Sequence, residues 1–158
     1  MPSQADEHLA EHIPDEDNLT RAHFETPEQI APESYFHFGH DKKRDERAES
    51  FYWRKYAPLA SDIHRRGCNL ELVKQKRAPN IKYVGCRSVK AGGIRAIETG
   101  RGHKLVVFHF PENGDNAHSH VAIKPAKGTT VKNVNKNDIL ELANLVVKVL
   151  SDLEPHSC

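Results

Sequence analysis

Residues 103–124 read HKLVVFHFPENGDNAHSHVAIK, and this stretch decides the fold. Lys104–Phe110 is rich in valine, leucine and phenylalanine, and His118–Lys124 alternates. The six residues between them, PENGDN, contain the Asn-Gly pair that supplies positive φ in a tight turn. The stretch therefore predicts a β-hairpin. Strand side chains alternate between faces. On the first arm His103, Leu105, Val107 and His109 share one face, and Val106, Phe108 and Phe110 the other. On the second arm His118 and His120 lie with Ala122, opposite Val121 and Ile123. Joining the apolar sets in one core gathers His103, His109, His118 and His120 on the second face of the sheet. Imidazole changes charge near neutral pH and is the commonest metal ligand, so a cluster of this kind marks a candidate site.

Outward from the hairpin, the C-terminal segment reads as a helix starting at Asp138, with Asp138 and Glu141 as a capping box. Ile139, Leu142, Ala143, Val146, Leu150 and Leu153 form its apolar stripe, which should cover the apolar face of the hairpin. Upstream, Asp41–Arg66 has apolar residues every three or four positions and reads as helical, kinked at Pro58 and stopped at Gly67. Asn69–Arg77, Ile81–Lys90 and Gly93–Thr99 read as strands. The expected fold is α+β: an antiparallel sheet of about four to five strands flanked by helices, with the C-terminal helix packed on the sheet.

Length and charge bound the rest. The 158 residues fit one domain with a tail. Residues 1–50 carry net charge −8 and residues 51–158 net +9. The organisation expected is an acidic, disordered arm over 1–33 and a single basic α+β domain over 34–158. The arm could dock on the basic domain as an autoinhibitory polyanion. No apolar run reaches the length of a membrane span and the N-terminus is too acidic for a signal peptide, so no membrane partner and a cytoplasmic location are expected. Cys68, Cys86 and Cys158 have no paired spacing, which favours a reducing compartment and argues against a CxxC zinc site.

A basic domain points to a polyanion, RNA or DNA. The cations expected to contact phosphate are Lys74, Lys76, Arg77, Lys82 and Arg87 on the two basic runs, with Arg101 and Lys104 beside His103.

The segments GRGHKLVVFHFPENG and HVAIKPAKGTTVKNVNKNDILELANL resemble the HicA-type mRNA interferase toxins. Gly102-His103, Val121 with Ile123, Gly128, Lys132 and Ile139-Leu140 with Ala143 carry the resemblance, although the serine of the family's Gly-Ser-His motif is missing. It implies a ribonuclease of a toxin–antitoxin pair, with an antitoxin as protein partner, no cofactor, and His103 in the catalytic position. HFPENGDNAHSHVAI is similar instead to the metal motif of HUH nucleases and relaxases. That implies one divalent metal ion on His109, His118 and His120, and a tyrosine nucleophile such as Tyr52 or Tyr56. Both readings concern phosphodiester cleavage, with His103, His109, His118 and His120 as the catalytic candidates. A metal-free enzyme would use imidazole as general base and acid; an HUH-type enzyme would use the ion as Lewis acid. A non-catalytic nucleic-acid-binding or protein-interaction module is the alternative of a different class.

Overall fold

A computed structural model of the chain describes residues 10–28 and 36–158. In chain order the elements are β1 (Asn18–Glu25), β2 (His40–Asp41), β3 (Glu46–Trp53), α1 (Ala60–Lys74), β4 (Lys82–Lys90), α2 (Ala91–Arg95), β5 (Lys104–His109), β6 (His118–Lys124), a 3-10 turn at Val131–Asn133, α3 (Lys136–Val149) and β7 (Glu154–Pro155). The strands form one antiparallel sheet in the order β5-β6-β3-β1-β4-β7, with β2 paired to β3. The class is α+β as expected, with seven strands among the described residues rather than four or five.

The hairpin is β5–β6. Its turn closes with Asn113 at φ 52° and Gly114 at φ 76°, the positive angles that an Asn-Gly turn requires. Asp115 then caps the amide of Ala117 (2.9 Å) and takes two bonds from the Arg66 guanidinium (2.9 and 3.0 Å), so α1 holds the hairpin tip.

The register corrects the expected grouping of side chains. Leu105 pairs with Ile123, Val107 with Val121, His109 with Ser119, and Phe108 with His120. Paired residues in an antiparallel ladder share a face. Odd positions of β5 therefore meet odd positions of β6, and the odd His103 and His109 cannot face the even His118 and His120. Leu105, Val107, Val121 and Ile123 form the core under α3, with Leu142, Ala143 and Val146 of that helix. Val106, Phe108 and Phe110 lie on the opposite side with His118 and His120.

α3 starts two residues before the expected position, because Asn135 caps it by accepting from the amide of Asp138 (2.9 Å). α1 covers the opposite face at β1 and β4, burying Ile63 against Ala22, Tyr52, Tyr83 and Cys86.

Three further expectations are corrected. Glu46–Trp53 is a strand and not helical: Phe51 and Trp53 fill the α3 side and Tyr52 the α1 side, so both faces are apolar and the alternation is lost. Asn69–Lys74 is the end of α1 rather than a strand, and Gly67 lies inside that helix. A Cβ on Gly67 would sit 2.3 Å from the Tyr83 ring, so glycine there permits close helix–sheet approach. Residues 93–99 open in α2 instead of a strand.

The acidic arm is also redrawn. Asn18–Glu25 is an interior strand between β3 and β4, with Leu19, Thr20 and His23 almost fully buried. Its flanking acids are absorbed into the fold: Asp15 pairs with Arg95 (2.7 Å), Asp17 accepts from the Trp53 indole (2.9 Å) and Glu11 pairs with Lys55 (3.0 Å). Residues 1–9 and 29–33 of the expected arm lie outside the described residues.

Cys68 of α1 and Cys158 form a disulfide across 90 residues, leaving Cys86 free and buried. This pairing replaces the expected set of three separate cysteines; spacing could not reveal it, because helix and tail meet only in the folded chain. Among the described residues, no helix is long and apolar enough to cross a membrane.

Candidate functional site

On the α3 face, both histidines have their ring nitrogens fully engaged. His103 is 2 % exposed. Its Nδ1 accepts from the Ala126 amide (3.0 Å) and its Nε2 donates to Asp138 Oδ2 (3.1 Å). His109 accepts from the Glu11 amide at Nδ1 (3.0 Å) and donates to the Asn116 carbonyl from Nε2 (2.6 Å). Its ring stacks on Tyr56 and meets the edge of Trp53. Neither ring keeps a lone pair for a substrate or an ion. Each fixes a loop to the sheet, and this assigns the two residues to structure.

The opposite face differs. Among the described residues, α1 packs mainly on β1 and β4 and reaches this side of the sheet only at Tyr52 and the hairpin tip. There His118 pairs across the ladder with Tyr52, and His120 with Ser50. The turn that makes the hairpin also delivers Glu112. Glu112, His118 and His120 offer ligand atoms that all lie within 4.8 Å of one another. Glu112 therefore stands where His109 was expected in the ligand set. His118 donates from Nδ1 to the Phe110 carbonyl (2.8 Å), which leaves Nε2 as its lone-pair nitrogen, 2.9 Å from the Ser50 hydroxyl. Glu112 Oε2 is 3.5 Å from that Nδ1.

His120 stacks on Phe110, ring centroids 4.3 Å apart. Burial, then the nearby His118 and Arg44, pushes its pKa down to about 4, so the ring is neutral at pH 7. The Glu46 carboxylate comes within 2.7 Å of His120 Nδ1, but out of line for a hydrogen bond, and Nδ1 is buried without a hydrogen-bond partner. Burial in turn raises the pKa of Glu46. Arg44 lies over the Phe110 ring and 3.8 Å from Glu112, closing the outer side. Two imidazoles and a carboxylate form a borderline donor set that suits zinc and other divalent transition ions.

A cavity of about 320 Å³ adjoins this cluster through Ser50 and Tyr52. Arg21, Phe24, Leu70 and Lys74 line its other walls. Arg21 is paired with Glu49 (2.9 Å), whereas the Lys74 ammonium lies over the Phe24 ring. Desolvation, then the charge of Arg21, lowers the pKa of Lys74. The Tyr52 hydroxyl is pushed the other way, above its usual pKa, by burial and then by Asp115.

The expected basic set divides. Lys74, Lys76, Arg77 and Lys82 surround the short connection between α1 and β4, at the Phe24 end of the sheet. Arg87 instead donates to the Ser151 carbonyl, Arg101 stands 3.8 Å from Asp138, and Lys104 stands 4.0 Å from Glu98 on the edge strand. Sequence reasoning missed Glu112, Glu46 and Ser50. Glu112 lies in PENGDN, which reads only as a turn; its carboxylate six residues before His118 was the available signal.

Comparison with protein-family models, with curated proteins and with solved structures gives no match.

Proposed function

We propose that this protein is a divalent-metal-dependent phosphodiesterase acting on nucleic acid, with Glu112, His118 and His120 as the metal ligands. The observation that carries the reading is the convergence of these three side chains on the face of the sheet turned away from α3, together with a buried His120 Nδ1 that has the Glu46 carboxylate beside it but no hydrogen bond. The same observation favours this HUH-like chemistry over a metal-free, HicA-like use of His103, whose two nitrogens are committed to Ala126 and Asp138.

A bound ion would supply Lewis-acid polarisation of a phosphoryl oxygen. The chain's own residues supply the remainder. Lys74 at the cavity, with Lys76, Arg77 and Lys82 beyond it, attracts and orients the phosphate backbone. The Phe110 carbonyl fixes the tautomer of His118. Tyr52 shares the site's face, unlike Tyr56, which stacks on His109. Its raised pKa keeps the hydroxyl protonated, which suits a hydrogen-bond donor to the substrate better than a nucleophile. A cytoplasmic location belongs to the same reading because RNA and DNA are at hand there; the cysteines no longer support it, since Cys68 and Cys158 are joined.

The test is cleavage of labelled single-stranded RNA and DNA with zinc, manganese or magnesium. Cleavage by the wild type and its loss in His118→Ala and His120→Ala are expected. Replacing Lys74, Lys76 and Arg77 together with Ala should weaken substrate binding and flatten its salt dependence, since each neutralised phosphate contributes to that slope. A wild-type protein that neither binds nor cuts either polymer under these conditions overturns the proposal.

A further inference from the structure

A second group of metal-binding side chains lies on the opposite side of the molecule from the hairpin edge, where the C-terminal tail crosses α1. His64 and Cys68 are four residues apart on α1 and share one helix face. His156 and Cys158 are two residues apart in the extended tail after β7, a spacing that puts both on one side. The fold brings the two pairs together. Cys68, His156 and Cys158 have ligand atoms within 4.8 Å of one another. The His64 and His156 rings stack with centroids 4.2 Å apart, and the Tyr83 hydroxyl holds His64 at Nδ1 (2.8 Å). His156 and Cys158 are exposed and Cys68 partly so, which leaves a path for an ion.

We propose that, when the Cys68–Cys158 disulfide is reduced, Cys68, His156 and Cys158 bind a zinc ion, so that the tail is tethered to α1 by a disulfide in one state and by metal in the other. Two thiolates and an imidazole are the donors of a common zinc set, with room for a fourth ligand. Reduction by a dithiol, itself oxidised to a disulfide, adds two electrons and two protons across the S–S bond. Zinc then displaces both protons as the thiols become thiolates. His64 acts as a positioning residue, since its ring backs that of His156. The site is independent of the Glu112, His118 and His120 cluster, which contains no sulfur.

Cobalt titration of the full-length protein separates the two sites, because only sulfur ligation produces a thiolate-to-cobalt charge-transfer band in the near ultraviolet. The protein is reduced with a phosphine, which avoids a competing dithiol, and thiol counting should give three free cysteines in place of one. The expected result is the band at one equivalent of cobalt, its loss on adding zinc, and its absence from the oxidised protein. It should persist in the double variant His118→Ala with His120→Ala, and vanish in Cys158→Ser. His156→Ala, which can still close the disulfide, should weaken cobalt binding by more than the roughly 10–100-fold that follows loss of an outer-shell partner. Absence of the band from the reduced wild type, or its survival in Cys158→Ser, overturns the proposal.

Discussion

The two faces of one hairpin put the same residue type to opposite uses. His103 and His109 look toward α3, and each ring nitrogen has a protein partner. His118 and His120 look the other way: His118 is held by the Phe110 carbonyl and an exchangeable Ser50 hydroxyl, while His120 Nδ1 is buried without a hydrogen bond, and the Glu112 and Glu46 carboxylates stand alongside. Four imidazoles within eighteen residues therefore make two loop staples and one candidate metal centre. What separates them is the parity of their positions in the ladder and what lies over each face.

The largest break in this contrast comes from the N-terminus. Removing residues 1–33 deletes β1 from the interior of the sheet and the Glu11 amide that fixes His109. The truncated chain should fail to fold cooperatively, which thermal unfolding followed by circular dichroism would reveal. A truncated chain with native-like melting would restore the picture of a detachable arm.

Next come the staples themselves. His103→Ala removes a packed ring, the hydrogen bond from the Ala126 amide and the buried donor to Asp138, leaving that carboxylate only Arg101 at 3.8 Å, for about 3–4 kcal/mol. His109→Ala removes two hydrogen bonds and a packed ring, for about 2–4 kcal/mol. His118→Ala, half-buried and held by a carbonyl and a hydroxyl, should cost about 1 kcal/mol in metal-free protein. Urea midpoints rank the three variants, and equal losses at all three sites would erase the distinction between the faces.

A finer effect is pH dependence. The pKa of His120 is depressed to about 4 in the folded protein against an ordinary 6.5. Between those values the unfolded chain binds a proton that the folded chain refuses. Stability is thus full above about pH 6.5 and falls as the pH drops toward 4. His23, buried and pushed down to about 3, adds a loss of the same sign that continues lower. In metal-free protein, His120→Gln should reduce the slope of urea midpoint against pH in this window; an unchanged slope would remove His120 from the neutral, buried role.

The hairpin, its Asn-Gly turn and the apolar stripe of α3 were legible because each depends on local pattern: alternation, positive φ and helical period. The pairing register was not, since PENGDN allows either parity and the choice rests on how Pro111–Asn116 fold and on the Arg66–Asp115 clamp from a distant helix. ERAESFYW was misread because Phe51, Tyr52 and Trp53 are buried on both faces, which hides a strand's alternation. NLELVK was misread because Leu72 and Val73 are exposed on α1, so the apolar positions do not mark one buried stripe. His118 and His120 could be picked from the sequence as a pair, whereas Glu112 as their companion could not, because it joins them only after the turn has folded.

The claim that the hairpin face turned away from α3 is a metal centre is tested most directly by zinc stoichiometry of the oxidised protein, in which the disulfide occupies Cys68 and Cys158. Calorimetric titration of the wild type, purified without an affinity tag, should give about one zinc per chain. Glu112→Gln should weaken binding, His118→Ala with His120→Ala should abolish it, and His109→Gln should leave the stoichiometry unchanged. No zinc binding by the oxidised wild type, or undiminished binding after loss of His118 and His120, would contradict it.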